Sequence, residues 1–436
     1  MQGKLSLTSG ASIVVLNRLA VMGAGFGISI IAPAFLSAVE QGYFFTFLSL
    51  AALQGLFELG ISALIIQHFA HIKGGIAPGT AAADDSFSAR VTAVRKFSEA
   101  YFRKASYWFI GLVGTGGAAF FIYSQGTANL DLWLLPWSVL VLATSLTMLN
   151  ITRFSMLEGF GMVREAYLIR THATLILFGV FVAVLLTIGG LYAYPVALLL
   201  SQLYARQATA RQLGSLVAIN KDAVSEGALN FAEVKKTQRR FAVSAIAGYF
   251  TANSITPYSF HVFGPEIAGQ VGLTTSMFFA AASLAMAFST ATAPLYGQWI
   301  AQNRYREVLT AWRRNVQYSI LSALAMVGGL LIAVMLVTKF WPVYALKFLG
   351  VEAFIALALL VLANTTLTTV STVLRSFKVE DLMWPSLLAA VISLALQGLA
   401  RATPEQYFFG MALYNGAFFL PFAFVLMRNR LSVHQR

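Results

Sequence analysis

Two charges stand inside apolar stretches, where charge is costly. Arg18 lies in the first such stretch and Glu58 in the second, and Gln54, Glu58 and Ser62 recur at i, i+4 and i+8, one face of a helix. An ionisable side chain at membrane depth marks a pathway, an ion site or a buried partner. Arg18 and Glu58 fall on consecutive segments, each roughly 11 Å from the same boundary at 1.5 Å per residue. This spacing predicts a pair across the first hairpin. A pair admits three readings: a structural lock, contact of Arg18 with an anionic substrate, and ion coupling through Glu58.

Other residues extend the chemistry. A guanidinium is a planar fork suited to phosphate, so Arg18, Arg153 and Arg375 are candidates for binding an anionic head group, although Arg153 and Arg375 also suit a plain anchoring role at helix ends. Asn17, Asn253, Tyr249 and Tyr258 offer amide, hydroxyl and aromatic partners for a sugar. His261 is a candidate proton site, against a hydrogen-bonded packing role. Polar stripes recur at Thr251, Ser254, Tyr258 and His261, at Asn364, Thr368, Ser371 and Arg375, and at Thr147, Asn150 and Phe154 beside Arg153. Such stripes face water or other helices, not lipid. His68 and His71 lack a well-spaced carboxylate, so no metal is expected. There is no cysteine and no phosphate-cradling P-loop, and no cofactor is implied.

The elements that hold these residues are membrane helices. Of 436 residues 58% are hydrophobic and 11% charged, far from the half apolar and quarter charged of an ordinary globular domain. The apolar runs are long enough for helices to cross the bilayer and unlike the ten-residue alternation of an outer-membrane barrel. The expected fold is therefore all-α and polytopic, with spans near 12–36, 43–66, 106–124, 133–152, 167–189, 193–210, 241–262, 271–296, 317–338, 352–374, 383–400 and 406–427. An N-lobe over 1–210, a cytoplasmic linker over 211–240 and a C-lobe over 241–436 follow.

The formal charge of +13 is mostly topology. Of thirty lysines and arginines, twenty-six fall on one side of these spans, three (Lys339, Lys347, Arg401) on the other, and Arg18 within the first. The positive-inside rule then places both termini in the cytoplasm and removes nucleic acid as a partner. The segment Asn230 to Arg240 is expected to lie on anionic lipid or to act as a simple tether. Cleavage after Ala32-Pro33-Ala34 is not expected. All external loops are short and leave little room for an acid-base site, with only Asp131, Glu266, Glu352 and Glu405 there. Transport is favoured over catalysis.

Two stretches echo each other. Val39 to Tyr43 reads as a polar turn before an apolar run, and the region from Phe263 to Trp299 repeats the plan with Gly269 where Gly42 falls. These are expected to be two related hairpins facing one another across a cavity. Gly23, Gly25, Gly27 and Pro33 suggest a first helix that bends, and Pro257 marks the matching end of the seventh span.

Glu40-Gln-Gly42-Tyr-Phe, Glu58-Leu-Gly60-Ile and Gly264-Pro-Glu-Ile-Ala-Gly269, with Leu157-Glu-Gly-Phe-Gly161 and Phe348-Leu-Gly350, resemble the bacterial polysaccharide transporters, the O-antigen flippase (Wzx-like) branch of the multidrug/oligosaccharidyl-lipid/polysaccharide (MOP) exporter superfamily. The resemblance implies about twelve helices in two pseudo-repeated six-helix lobes with a MATE-like V shape, in the bacterial inner membrane. It implies a flippase, not an enzyme, that moves undecaprenyl-diphosphate-linked oligosaccharide to the outer leaflet by alternating access. Membrane lipids, a glycan polymerase and a chain-length regulator are the partners this suggests. An ion-coupled multidrug exporter is the alternative within transport, and a membrane-embedded glycan polymerase or ligase the alternative outside it.

Overall fold

The computed structural model describes residues 2–58, 61–74, 85–127, 129–214, 243–377 and 382–433. All secondary structure among them is helical. The elements are α1 (Gln2–Phe35), α2 (Ala38–Ala51), α3 (Gly55–Glu58), α4 (Ile61–Gly74), α5 (Asp85–Trp108), α6 (Thr115–Gln125), α7 (Leu130–Gly159), α8 (Val163–Thr187) and α9 (Ala193–Gly214). There follow α10 (Val243–Ala252), α11 (Ile255–Phe263), α12 (Pro265–Ala285), α13 (Ala287–Ala301), α14 (Tyr305–Phe340), α15 (Pro342–Ala345), α16 (Val351–Ser376), α17 (Met383–Gly398), α18 (Pro404–Leu413) and α19 (Leu420–Val433). A π-helical turn, Phe109–Gly114, joins α5 to α6, and another, Tyr414–Phe419, joins α18 to α19.

Each of the twelve expected spans coincides with a helix or a helix pair. Eight are long and apolar enough to cross a membrane, and the second is broken, bending by 43° between its α2–α3 and α4 parts. The sixth (α9), seventh (α10 with α11) and eleventh (α17) are shorter or more polar. The chain is a multi-pass membrane protein. Residues 215–240 of the expected linker, including the segment Asn230 to Arg240, lie outside the described residues.

The contacts divide the chain into two compact units, one of residues 1–36 and 47–242, the other of 37–46 and 243–436. The short segment 37–46 was expected with the first lobe, and its packing explains the difference. It is not a turn but the start of α2, closed by a capping box in which the Ser37 amide donates to Glu40 Oε2 (2.8 Å) and the Glu40 amide to Ser37 Oγ (3.2 Å). Its apolar and small face lies on α12. A Cβ added to Gly42 would stand 2.0 Å from the Pro265 carbonyl oxygen, one on Gly269 2.9 Å from the Gly42 nitrogen, and one on Gly272 2.1 Å from Phe45 Cβ. Gln41 Nε2 donates to the carbonyls of Gly269 (2.9 Å) and Lys347 (3.1 Å). Burial pushes the Lys347 ammonium below its ordinary value, and the nearby Glu40 carboxylate opposes that shift.

In the first unit α1 lies against α8, α5 against α7, and α7 against α9 and α4. Gly27 is held there by packing, since a Cβ would meet Phe178 at 2.8 Å, whereas Gly23 and Gly25 have open space around them. The Leu157–Gly161 motif ends α7. Glu158 pairs with Arg170 (2.6 Å); a Cβ on Gly159 would meet Phe69 Cβ at 2.5 Å. Gly161 takes a φ of 74° while the Met162 amide reaches back to Leu157 O (2.8 Å) and the Gly161 amide to Glu158 O (2.9 Å), a Schellman end.

In the second unit the seventh span breaks between α10 and α11 at Asn253 and Ser254. Pro257 enforces the break, because its ring clashes with the carbonyl four residues back, that of Asn253. The carbonyls at the break find hydroxyl donors: Phe250 O accepts from Ser254 Oγ (2.5 Å) and from Ser393 Oγ (2.8 Å), and Thr251 O from Tyr407 OH (3.2 Å). Gln397 Nε2 donates to Ser254 Oγ (2.8 Å), and Ser393 and Tyr407 hydroxyls meet at 2.9 Å.

Candidate functional site

The expected pair of Arg18 and Glu58 does not form. Ion pairs that do form are Arg95–Glu99, Arg170–Glu158 and Arg304–Glu307. The cause is helix pairing: α1 packs on α8. The side turned to α8 is that of Asn17, which is buried and donates from Nδ2 to Thr171 Oγ1 (3.2 Å). Arg18, one residue on, is exposed. Glu58 is half-buried and accepts from Ser62 Oγ at 2.5 Å, while Tyr101 OH donates to the neighbouring Phe57 carbonyl (2.9 Å). The polar face of the second span thus serves its break.

Other candidates are used in helix packing. Tyr258 OH donates to Ala402 O (3.2 Å), and Tyr249 is buried. Asn364 accepts from Asn415 Nδ2 (2.8 Å), at the π-turn before α19. Asn150 donates to Gln202 O (3.0 Å) and Gln202 Oε1 (3.1 Å). Asn253 is half-buried at the α10–α11 break, and His261 and Arg375 are exposed. None of these residues lines the cavity that holds Arg153.

Arg153 does have company. It sits in a cavity of about 580 Å³ between α5, α7 and α9, lined at one end by Arg95, Glu99, Arg103, Arg153 and Arg206 and at the other by Ile110, Leu142, Leu146, Leu149 and Leu199. Arg153 Nη1 donates to the Arg206 carbonyl (2.7 Å), tying α7 to α9. Arg95 Nε bonds Glu99 Oε1 at 2.8 Å, so the one carboxylate offsets the one arginine it touches. The remaining guanidinium groups leave the end strongly basic. In such a place an anionic group is recognised through charge-assisted, forked hydrogen bonds.

Local sequence builds this face. Arg95, Glu99, Phe102, Ser106 and Ile110 follow at three- and four-residue steps on α5 and its π-turn, as do Leu142, Ser145, Leu149 and Arg153 on α7, so each set lines one helix face. Arg95, Arg103 and Arg206 were read from sequence only as topological charge. Their spacing with Ser106 and Ile110 was the available signal, but the positive-inside rule accounts for the same arginines without a site.

No family model matches the chain, and no curated protein does. Solved structures match over nearly its whole length. A multidrug resistance MATE family transporter of the MOP superfamily, in an inward-facing conformation, is 15% identical with a TM-score of 0.62, over 94% of this chain and 99% of that one. The lipid II flippase MurJ in an inward closed conformation is 11% identical with a TM-score of 0.63, over 97% and 90%. A MOP superfamily transporter from Pyrococcus furiosus, described as having a binding pocket of reverse polarity that suggests a different function, is 16% identical with a TM-score of 0.54, over 98% and 94%. The chain therefore has the MOP-transporter fold.

Proposed function

We propose that this protein is a transporter of the inner membrane that moves undecaprenyl-diphosphate-linked oligosaccharide from the cytoplasmic to the outer leaflet by alternating access, as a Wzx-like branch of the MOP exporters would. The observation that carries the reading is the sign of charge. The first unit gathers four arginines against one glutamate in a single cavity, which suits a diphosphate and repels a cationic drug. The carboxylate that a cation-coupled drug exporter would need at depth, Glu58, is already engaged by Ser62. A lipid II flippase among the proteins of this fold supports the same direction. Two six-span lobes, both termini in the cytoplasm, and a glycan polymerase with a chain-length regulator as partners belong to this proposal.

The test is genetic and chemical. Deleting the gene should leave lipid-linked repeat units on the cytoplasmic leaflet, protected from an impermeant glycan-labelling reagent in spheroplasts. Normal labelling from outside in the deletion strain would overturn the reading. Efflux of cationic dyes that depends on the intact gene would favour the multidrug alternative.

A further inference from the structure

The basic cavity does not end at its apolar wall. A second cavity, of about 340 Å³, is lined by Ile110, Gly114, Thr115, Ala118, Leu134, Trp137, Ser138, Val141 and Leu142, and it shares Ile110 and Leu142 with the first. The two adjoin at Ile110 and Leu142, and together their linings run as a trough along α5, its π-turn, α6 and α7. From Arg153 to Leu134 there are nineteen helical steps, or about 29 Å at 1.5 Å each. That is nearly the thickness of the hydrocarbon layer, about 30 Å. Charge is confined to one end: beyond Ser106 and Ser145 the first cavity is leucine and isoleucine, and the second is almost wholly apolar.

Two further observations point to an occupant. The π-turn Phe109–Gly114 falls at the junction of the two cavities, and such turns in helices frequently occur at functional sites. The Gly114 carbonyl accepts from Trp137 Nε1 (2.9 Å), which ties the turn to α7. The rim is open, with the lining residues Tyr107 67%, Leu142 54% and Leu134 43% exposed. An apolar rim at span depth suits hydrocarbon, and gives a lipid chain a lateral way in.

We infer that this trough binds a phosphate-bearing lipid, its phosphate held by Arg153, Arg206 and Arg103 and its chain laid along Leu149, Leu142, Ile110 and Ala118 toward the opposite face. A site of this shape selects both an anion and a long chain. It goes beyond the transport reading, because the lipid can be a resident phospholipid or the isoprenoid phosphate itself.

The experiment uses the purified full-length protein in detergent, with native mass spectrometry reading bound phosphatidylglycerol, undecaprenyl phosphate, phosphatidylcholine and inorganic pyrophosphate. Wild type should retain the first two over phosphatidylcholine. Arg153→Gln with Arg206→Gln should weaken both by about tenfold, as expected for loss of charge-assisted bonds. Leu142→Trp, at an exposed rim position that tolerates size, should weaken both lipids while leaving pyrophosphate binding unchanged. Should the double variant not fold, Arg103→Gln, at an exposed side chain, carries the head-group arm alone. Competition between the two lipids then shows which source fills the site, and either ranking supports it. Equal retention of phosphatidylcholine, or lipid binding unchanged in the arginine variants, would overturn the inference. So would a Leu142→Trp variant that binds both lipids like wild type. Normal export in the deletion strain, with lipid binding by the purified protein intact, would count against the transport proposal alone.

Discussion

At the scale of single residues the sharpest constraint is on Gly42. An alanine there would put its methyl carbon 2.0 Å from a backbone carbonyl oxygen, and backbone cannot swing aside as a side chain can. Gly42→Ala is therefore expected to cost about 1–3 kcal/mol or more through overpacking, read as a lower melting temperature and poorer monodispersity in detergent. Gly23→Ala is the contrast, since nothing lies within 4 Å of the added carbon. It should leave the melting temperature unchanged or raise it, because alanine is better than glycine in a helix by up to about 1 kcal/mol. If α1 bends at Gly23 during transport, that variant will express normally and export poorly. For Arg18 and Glu58 the expectation is null coupling: in a double-mutant cycle of Arg18→Ala and Glu58→Ala, stability effects should add within about 0.5 kcal/mol. A coupling above 1 kcal/mol would restore the pair that the helix packing denies.

At the scale of elements the broken seventh span shows how a membrane helix is interrupted without exposing its backbone. The Phe250 carbonyl takes hydroxyls from Ser254 and from Ser393 of α17, and the Thr251 carbonyl takes the Tyr407 hydroxyl of α18. With no water in hydrocarbon, such donors are obligatory. Tyr407→Phe removes a donor from a buried network and leaves a carbonyl behind, a loss of about 1–3 kcal/mol, detectable by thermal unfolding in detergent. Ser393→Ala should cost less, because Phe250 O keeps the Ser254 hydroxyl, and the two together should not add, because they share one network. How much of this was legible follows from the same physics. The twelve spans were, because long apolar runs have few other uses. Pro257 announced the seventh break, but the partners of that break lie over a hundred residues away and leave no local pattern. Val39–Tyr43 misled as a turn because Ser37 and Glu40, the two ends of a capping box, look like loop polarity. The groove was hidden for a different reason: arginines at cytoplasmic helix ends are expected in any such chain, and only their three- and four-residue steps toward Ser106, Ile110 and Leu142 distinguish a lined face from an anchor.

At the scale of the whole molecule the open quantity is orientation, on which both the flippase reading and the direction of the groove depend. Under the proposal, Arg95, Arg103, Arg153 and Arg206 lie at the cytoplasmic face, the side from which the proposed lipid-linked substrate would enter. The chain contains no cysteine, so single cysteines can be introduced against a silent background. Gly126→Cys, in the turn between α6 and α7, and Leu346→Cys, after α15, lie on the side that carries only three basic residues. Gln302→Cys, between α13 and α14, and Arg164→Cys, at the start of α8, lie on the other; Leu346 and Gln302 are both exposed. In intact spheroplasts a membrane-impermeant maleimide should label the first pair and spare the second, and permeabilisation should expose all four. The inverse pattern would place the arginine-rich end of the trough at the outer leaflet. An inward-to-outward flippase would then meet its anionic substrate on the wrong side, and the proposed direction of transport would fall while the fold and the lipid site stood.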